Sequence, residues 1–220
     1  MLRVRPIHFT SRLEEHAALF TALGMCCIAD DGDWRVFDSG NGRVGLLRVT
    51  PGSPGDGTTN LGFEVRDHEI FVRRTLADGT PAELVDSDYG PAARVDAPDG
   101  TAFLAVPVAQ EILVEPGPLT VVMHWHTTDD AGARQVLADI GARPLTTHLG
   151  GGTFFRAKNG GLVAAHSAGH NGVELGLEYC GDLAALGARL TAAGAATEMP
   201  DPETLSARVP GGAAVRIIRA

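Results

Sequence analysis

An α+β fold built from four β-α-β-β-β modules is what this 220-residue sequence predicts, and three observations carry the prediction. Leu61-Gly62-Phe63-Glu64-Val65 returns as Leu175-Gly176-Leu177-Glu178-Tyr179, 114 residues later. Gly100-Thr101-Ala102-Phe103-Leu104 returns as Gly212-Ala213-Ala214-Val215-Arg216, 112 residues later. Gly24, Gly79, Gly141 and Gly194 each close a segment of helical apolar spacing, at intervals of 55, 62 and 53. A fixed interval marks duplication. A glycine just past a helix is a stop signal, because it enters the left-handed conformation without a side-chain clash.

Residues 3–10 read as one strand. Leu13, Ala17, Phe20 and Leu23 then recur at helical spacing over 12–23, with Ser11 as the expected cap. Apolar runs follow at 25–28, 34–37 and 44–49, divided by Asp31-Gly32 and Asn41-Gly42, dipeptides that favour tight hairpins. The second module has a strand over 61–65, a helix over 68–77 and strands over 82–85, 92–95 and 101–106, with Asp99-Gly100 turning the last hairpin. The third has a strand over 120–127, a helix over 129–140 and strands near 143–147, 153–157 and 161–166. The fourth has a strand over 173–179, a helix over 182–193 and strands near 196–198, 205–209 and 213–219. The longest interval holds the expected linker, 108–118, which ends in the stiff Pro116-Gly117-Pro118. The sequence thus divides into two tandem domains, 1–107 and 119–220, each of two modules. One module cannot cover both faces of its own sheet. Two side by side make a curved eight-stranded sheet with helices outside and a concave side for a ligand or a core.

A net charge of −9 argues against nucleic-acid or anionic-membrane partners, which need clustered Lys and Arg. Lys158 is the single lysine, so lysine chemistry would have to use it. Arginine dominance with abundant Ala and Gly suggests a bacterial, high-GC origin. Cys26, Cys27 and Cys180 contain no C-x-x-C, and the adjacent pair makes a poor disulfide, a pattern of reducing compartments. Cys180 is expected to be a buried, inert thiol. No signal-peptide pattern is visible and no stretch approaches the ~18 apolar residues of a membrane span, so the expected location is the cytoplasm. Phosphate-loop, dinucleotide-fold, nucleophile-elbow and H-E-x-x-H motifs are all missing. Gly150-Gly151-Gly152 reads as a loop between strands.

Val95-Asp96-Ala97-Pro98-Asp99-Gly100-Thr101-Ala102-Phe103-Leu104, together with four modules in register, resembles the vicinal oxygen chelate superfamily. That superfamily includes glyoxalase I, extradiol dioxygenases and the fosfomycin- and bleomycin-resistance proteins. The resemblance implies paired modules around a concave cleft. In catalytic members the cleft holds one divalent metal, ligated from the first strand, the fourth or fifth strand and a glutamate on the eighth. In the N-terminal half the corresponding positions fall near Val4, near Leu47, on Asn60 and on Leu104, so this half is expected to bind no metal; His8 lies further along the first strand.

The C-terminal half is richer, with five of the eight histidines between 124 and 170. His124 and His126 form His-x-His on a strand, where a period of two puts both on one face and leaves Trp125 on the other, under the helices. By the resemblance, Glu174 falls on the fifth-strand ligand position and His166 at or near the fourth-strand one, while the eighth-strand glutamate is replaced by Arg216. A guanidinium beside a divalent cation is electrostatically hostile. Two readings follow. The first is a metal-independent, bleomycin-resistance-type binding protein without a cofactor, whose small-molecule ligand meets His124, His126, His166, Glu174, Glu178 and Arg216, with Arg216 paired to Glu174 or Glu178 or to an anionic ligand. The second is a metal-dependent lyase, isomerase or dioxygenase holding one divalent ion through His126, His166 and Glu174. Glu64 and Glu178 occupy equivalent repeat positions, as polar anchors or as ligands. Either a monomer or a homodimer is compatible with the duplication.

Overall fold

The four helix-stop glycines take positive φ, between 90° and 115°, and each closes a helix. The computed structural model describes residues 1–87, 90–108, 112, 114–145 and 152–220. In chain order the elements are β1 (Leu2–Val4), β2 (Ile7–Thr10), α1 (Leu13–Ala22), β3 (Cys26–Asp30), β4 (Trp34–Asp38), β5 (Arg43–Arg48), β6 (Thr59–Asn60), β7 (Gly62–Val65), α2 (His68–Asp78), β8 (Ala82–Ser87), β9 (Gly90–Asp96) and β10 (Ala102–Pro107). After them come β11 (Leu119–Thr127), α3 (Asp130–Asp139), β12 (Arg143–Pro144), β13 (Thr153–Arg156), β14 (Leu162–Ser167), β15 (Gly172–Tyr179), α4 (Leu183–Ala192), β16 (Ala196–Asp201), β17 (Thr204–Arg208) and β18 (Ala214–Arg219). This is the α+β succession of four β-α-β-β-β modules. Part of the expected linker (109–111 and 113) and the segment 146–151, which includes His148, Gly150 and Gly151, lie outside the described residues.

Two local expectations need correction. The strand expected over 3–10 is two strands, because Pro6 has no N–H to give a ladder and interrupts the pairing. Ser11 does not cap α1: its backbone N–H and hydroxyl both donate to Asp56, at 2.8 Å each, and Arg12 takes the cap position with no side-chain hydrogen bond. The other three helices are capped by aspartates, Asp67, Asp129 and Asp182.

The chain forms two compact units. The first comprises Met1–Pro6, Asn60–Glu111 and Met123–Glu174; the second comprises Ile7–Thr59, Ile112–Val122 and Leu175–Ala220. Each unit draws one module from each half of the sequence.

In the first unit the strand order β1-β7-β10-β9-β8 is mixed: β7 runs antiparallel to β1 and parallel to β10. The same unit holds β12, β13 and β14, next to β11. Its core packs Phe63 against Phe103, tilted, at 5.3 Å and Phe103 edge-on to Trp125 at 6.4 Å. Gly62, the glycine of the repeated motif, is required by close approach, since a Cβ there would collide with the Arg5 carbonyl. Glu64, beside it, is buried and ion-paired to Arg3 at 3.2 Å and Arg5 at 3.8 Å, a structural anchor between β1 and β7.

The second unit holds β3-β4-β5-β2-β6, with β2 and β5 parallel, and the run β15-β18-β17-β16. Phe20 of α1 packs edge-on to Phe37 of β4, and Leu183, Leu186 and Leu190 of α4 are buried. His8 on β2 and His16 on α1 are also buried here.

Two outcomes are expected. Glu64→Ala removes the buried carboxylate that ion-pairs with both Arg3 and Arg5 and should cost about 3–5 kcal/mol in urea unfolding. Stability should also fall with acidification. Burial first, then His16, pushes the His8 pKa down to about 4. The unfolded chain therefore takes up a proton near pH 6.5 that the folded chain refuses. The stabilisation is complete above about pH 6.5 and is lost progressively toward pH 4, on the order of 3 kcal/mol. Stability flat across that window would contradict the burial argument.

Candidate functional site

Alternation along β11 builds the site. Trp125 and Met123 point into the core and are fully buried, which turns His124 and His126 to the opposite face. Asp99, from the β9–β10 turn, accepts the Thr127 hydroxyl at 2.6 Å, and Asn171 bridges the Thr128 N–H at 3.0 Å and the Asp99 carbonyl at 2.7 Å. These bonds hold the loop carrying His170 beside the end of β11.

His124 is buried, and its Nδ1 lies 3.0 Å from His166 Nε2 on β14. One of these two nitrogens must donate to the other, so the pair shares a proton between two imidazoles. Phe154 stands edge-on to both rings at 6.3 Å. His126 lies nearly parallel to His166, centroids 5.2 Å apart, and to His170, 6.0 Å apart. His126 Nε2 is buried with no hydrogen bond, and Glu174 Oε2 on β15 is 3.6 Å away. The Glu174 side chain is 67% exposed, so this ion pair by itself adds little stability. Gly152 gives His166 its space: a Cβ there would sit 2.6 Å from His166 Nδ1, and its φ of +147° suits glycine.

Four of the six sequence-predicted residues, His124, His126, His166 and Glu174, therefore meet in the first unit. Glu178 and Arg216 belong to the second. Glu178 is buried on β15. Arg216 lies opposite Gly176 and Ser206 in the ladder, its side chain is exposed, and among the described residues it forms no ion pair. The expected pairing of Arg216 with Glu174 or Glu178 is not formed. His170 was not anticipated as a site residue; its one signal was membership of the histidine-rich stretch, since a loop carries no periodicity. Cys180, expected buried, is exposed at the end of β15.

No family model matches the chain, and no curated protein matches it. Solved structures do. A homoprotocatechuate 2,3-dioxygenase variant from Brevibacterium fuscum matches with a TM-score of 0.63 at 14% identity, over 98% of this chain and 70% of that one. The 2,3-dioxygenase LapB from Pseudomonas sp. KL28 matches with a TM-score of 0.66 at 13% identity, over 99% and 91%. The 2,2',3-trihydroxybiphenyl 1,2-dioxygenase from Sphingomonas wittichii matches with a TM-score of 0.59 at 14% identity, over 99% and 89%. The chain has the vicinal oxygen chelate fold. Within that superfamily these neighbours are extradiol dioxygenases, which use a catalytic divalent metal, and this corrects the expectation that the chain takes no cofactor.

The donor set of this chain meets a divalent ion in part. His126 Nε2 and Glu174 Oε2, 3.6 Å apart, can both reach one ion at ligand distances of roughly 2.1 Å. The nearest further imidazole, His166, has its Nε2 engaged with His124. Among the described residues no three His, Cys, Asp or Glu side chains converge on one point, so His166 must turn away from His124 to complete a three-ligand set. Gly152→Ala should displace His166 by steric contact and cost about 1–3 kcal/mol. The check is a changed His124–His166 imidazole pattern in ¹⁵N NMR together with a lowered Tm; an unchanged pattern would show that Gly152 does not set the ring position.

Proposed function

We propose that this chain is a divalent-metal-dependent enzyme of the vicinal oxygen chelate type, acting on a small molecule with two adjacent oxygens through a site in the C-terminal half of the sequence. The observation that carries the reading is the buried, unpartnered His126 Nε2 facing Glu174 within a cluster of four imidazoles. His126 and Glu174, joined by His166, would hold the ion. When bound, the ion supplies Lewis-acid polarisation of the substrate oxygens.

This chain's own groups do the rest. With His166 turned to the ion, the His124 imidazole that now bonds it can accept a proton at one nitrogen and release it at the other. Burial of His124 against Phe154 shields that ring from water. His170, exposed on its tethered loop, borders the site from the solvent side. The dioxygenase neighbours favour a catechol-like diol over a lyase or isomerase substrate.

Free Cys26, Cys27 and Cys180 support a reducing, cytoplasmic setting. Among the described residues no helix is long and apolar enough to cross a membrane. We also propose the sequence halves, 1–107 and 119–220, as the units of duplication.

The test is metal content by elemental mass spectrometry on protein purified without chelator or histidine tag, followed by turnover on a panel of catechols. The expected result is a retained divalent ion. His126→Ala and Glu174→Ala should each weaken its affinity by about tenfold or more and abolish turnover. Protein that binds no divalent ion after incubation with Fe, Mn, Ni, Co and Zn, or variants that bind as well as the parent, would sink the reading.

A further inference from the structure

Two buried histidines in the second unit have unexplained nitrogens. His8 on β2 and His16 on α1 are 3% and 1% exposed, with ring centroids 4.8 Å apart. One nitrogen of each is held. His8 Nδ1 is 3.0 Å from the Thr59 hydroxyl. His16 Nδ1 is 3.0 Å from the Arg12 carbonyl and 3.1 Å from the Thr10 hydroxyl. A carbonyl only accepts, so His16 carries its proton on Nδ1 and presents a bare lone pair at Nε2. Both Nε2 atoms are buried and, among the described residues, neither has a hydrogen-bond partner. Two orphaned imidazole nitrogens on neighbouring rings carry a desolvation penalty that no hydrogen bond offsets.

The arrangement is that of ligands. A metal-binding histidine characteristically donates its second ring N–H to a carbonyl or a similar acceptor, which fixes the tautomer and leaves the other nitrogen bare, as His16 does. Two imidazoles on adjacent positions of one ion, at metal–nitrogen distances of about 2.1 Å, hold their centroids roughly 5 Å apart. Burial lowers the pKa of both rings and keeps them in the neutral, ligating form at neutral pH.

His16 also borders an open polar cavity of about 280 Å³ lined by Ser11, Arg12, Asp56 and Gly211. Around the pair, the charges of Asp56 and Glu15 favour a cation and that of Arg12 opposes one. Asp56 already accepts from the Ser11 N–H and hydroxyl and from the Gly52 N–H, and it contributes charge rather than a ligand atom. No third His, Cys, Asp or Glu among the described residues joins the pair, so waters from the cavity would complete the shell.

We propose that His8 and His16 form a second divalent-metal site, open to this cavity and suited to a borderline ion such as Zn²⁺, Co²⁺ or Ni²⁺. It lies in the second unit and shares no residue with the cluster around His126.

The experiment is calorimetric titration of Zn²⁺ into the chelator-stripped full chain carrying both His126→Ala and Glu174→Ala. About one zinc per chain is expected to bind still, and adding His16→Gln should weaken it by about tenfold or more. Because His16→Gln can disturb a buried position, the same titration is followed by ¹⁵N NMR of the imidazoles with His8 and His16 intact. Their Nε2 resonances are expected to shift with zinc. No zinc bound by the double variant, or zinc bound without movement of these resonances, overturns the proposal and leaves the pair holding a buried water only. A parent chain that binds no more zinc than the double variant, with the His8 and His16 resonances moving, would fail the proposed function and leave this site standing.

Discussion

The pleat of β11 is the constraint from which the candidate site follows. A strand can bury one face only by turning the other away, and Trp125 with Met123 commits the core face completely. A one-residue slip would expel an indole from contact with Phe103 and drive two imidazoles into its place. The hydrophobic cost of that slip holds His124 and His126 where they are. The site therefore inherits its precision from packing, while the hydrogen bonds of Thr127, Asp99 and Asn171 set the end of the strand and the loop beyond it.

The candidate site departs in an informative way from the register that the sequence resemblance implies. The eighth-strand position carries Arg216, whose side chain is exposed in the second unit. The groups that do assemble come from β11, β14, β15 and the loop before β15, and they are unusually rich in imidazole. Histidine pairs can be held neutral, share protons and exchange partners at little cost, so a cluster of them tolerates rearrangement that a set of carboxylates would resist. The His124–His166 bond and the unpartnered His126 nitrogen are two states of one resource: a nitrogen engaged in one hydrogen bond is unavailable to an ion.

Charge burial gives each unit a different character. In the first, Glu64 answers Arg3 and Arg5 at the edge where β1 joins β7. In the second, Arg43 and Asp38 pair at 2.7 Å with both side chains almost fully buried. Buried charges that lack either partner are expensive, so both ion pairs make their strands specific about neighbours.

Periodicity and turn chemistry made the four modules, the helix stops and the shared face of His124 and His126 legible in the sequence, because these depend on residues close along the chain. Glu174 and His166 were legible only through register, by extending the repeat onto strands whose order the resemblance supplied. His170 was not, since a loop residue reaches the site through the Asn171 contacts that no spacing encodes. The break at Pro6 was visible as a proline, yet its consequence, residues 1–6 in one unit and residues from Ile7 in the other, depends on where each strand finds its ladder. The sequence by itself determined the element types and which residue types stand on one face of a strand, both governed by local sterics and alternation. Only the tertiary structure decided which imidazole nitrogens are engaged and which stay bare, and which modules pack together, because those depend on distances between segments far apart in the chain.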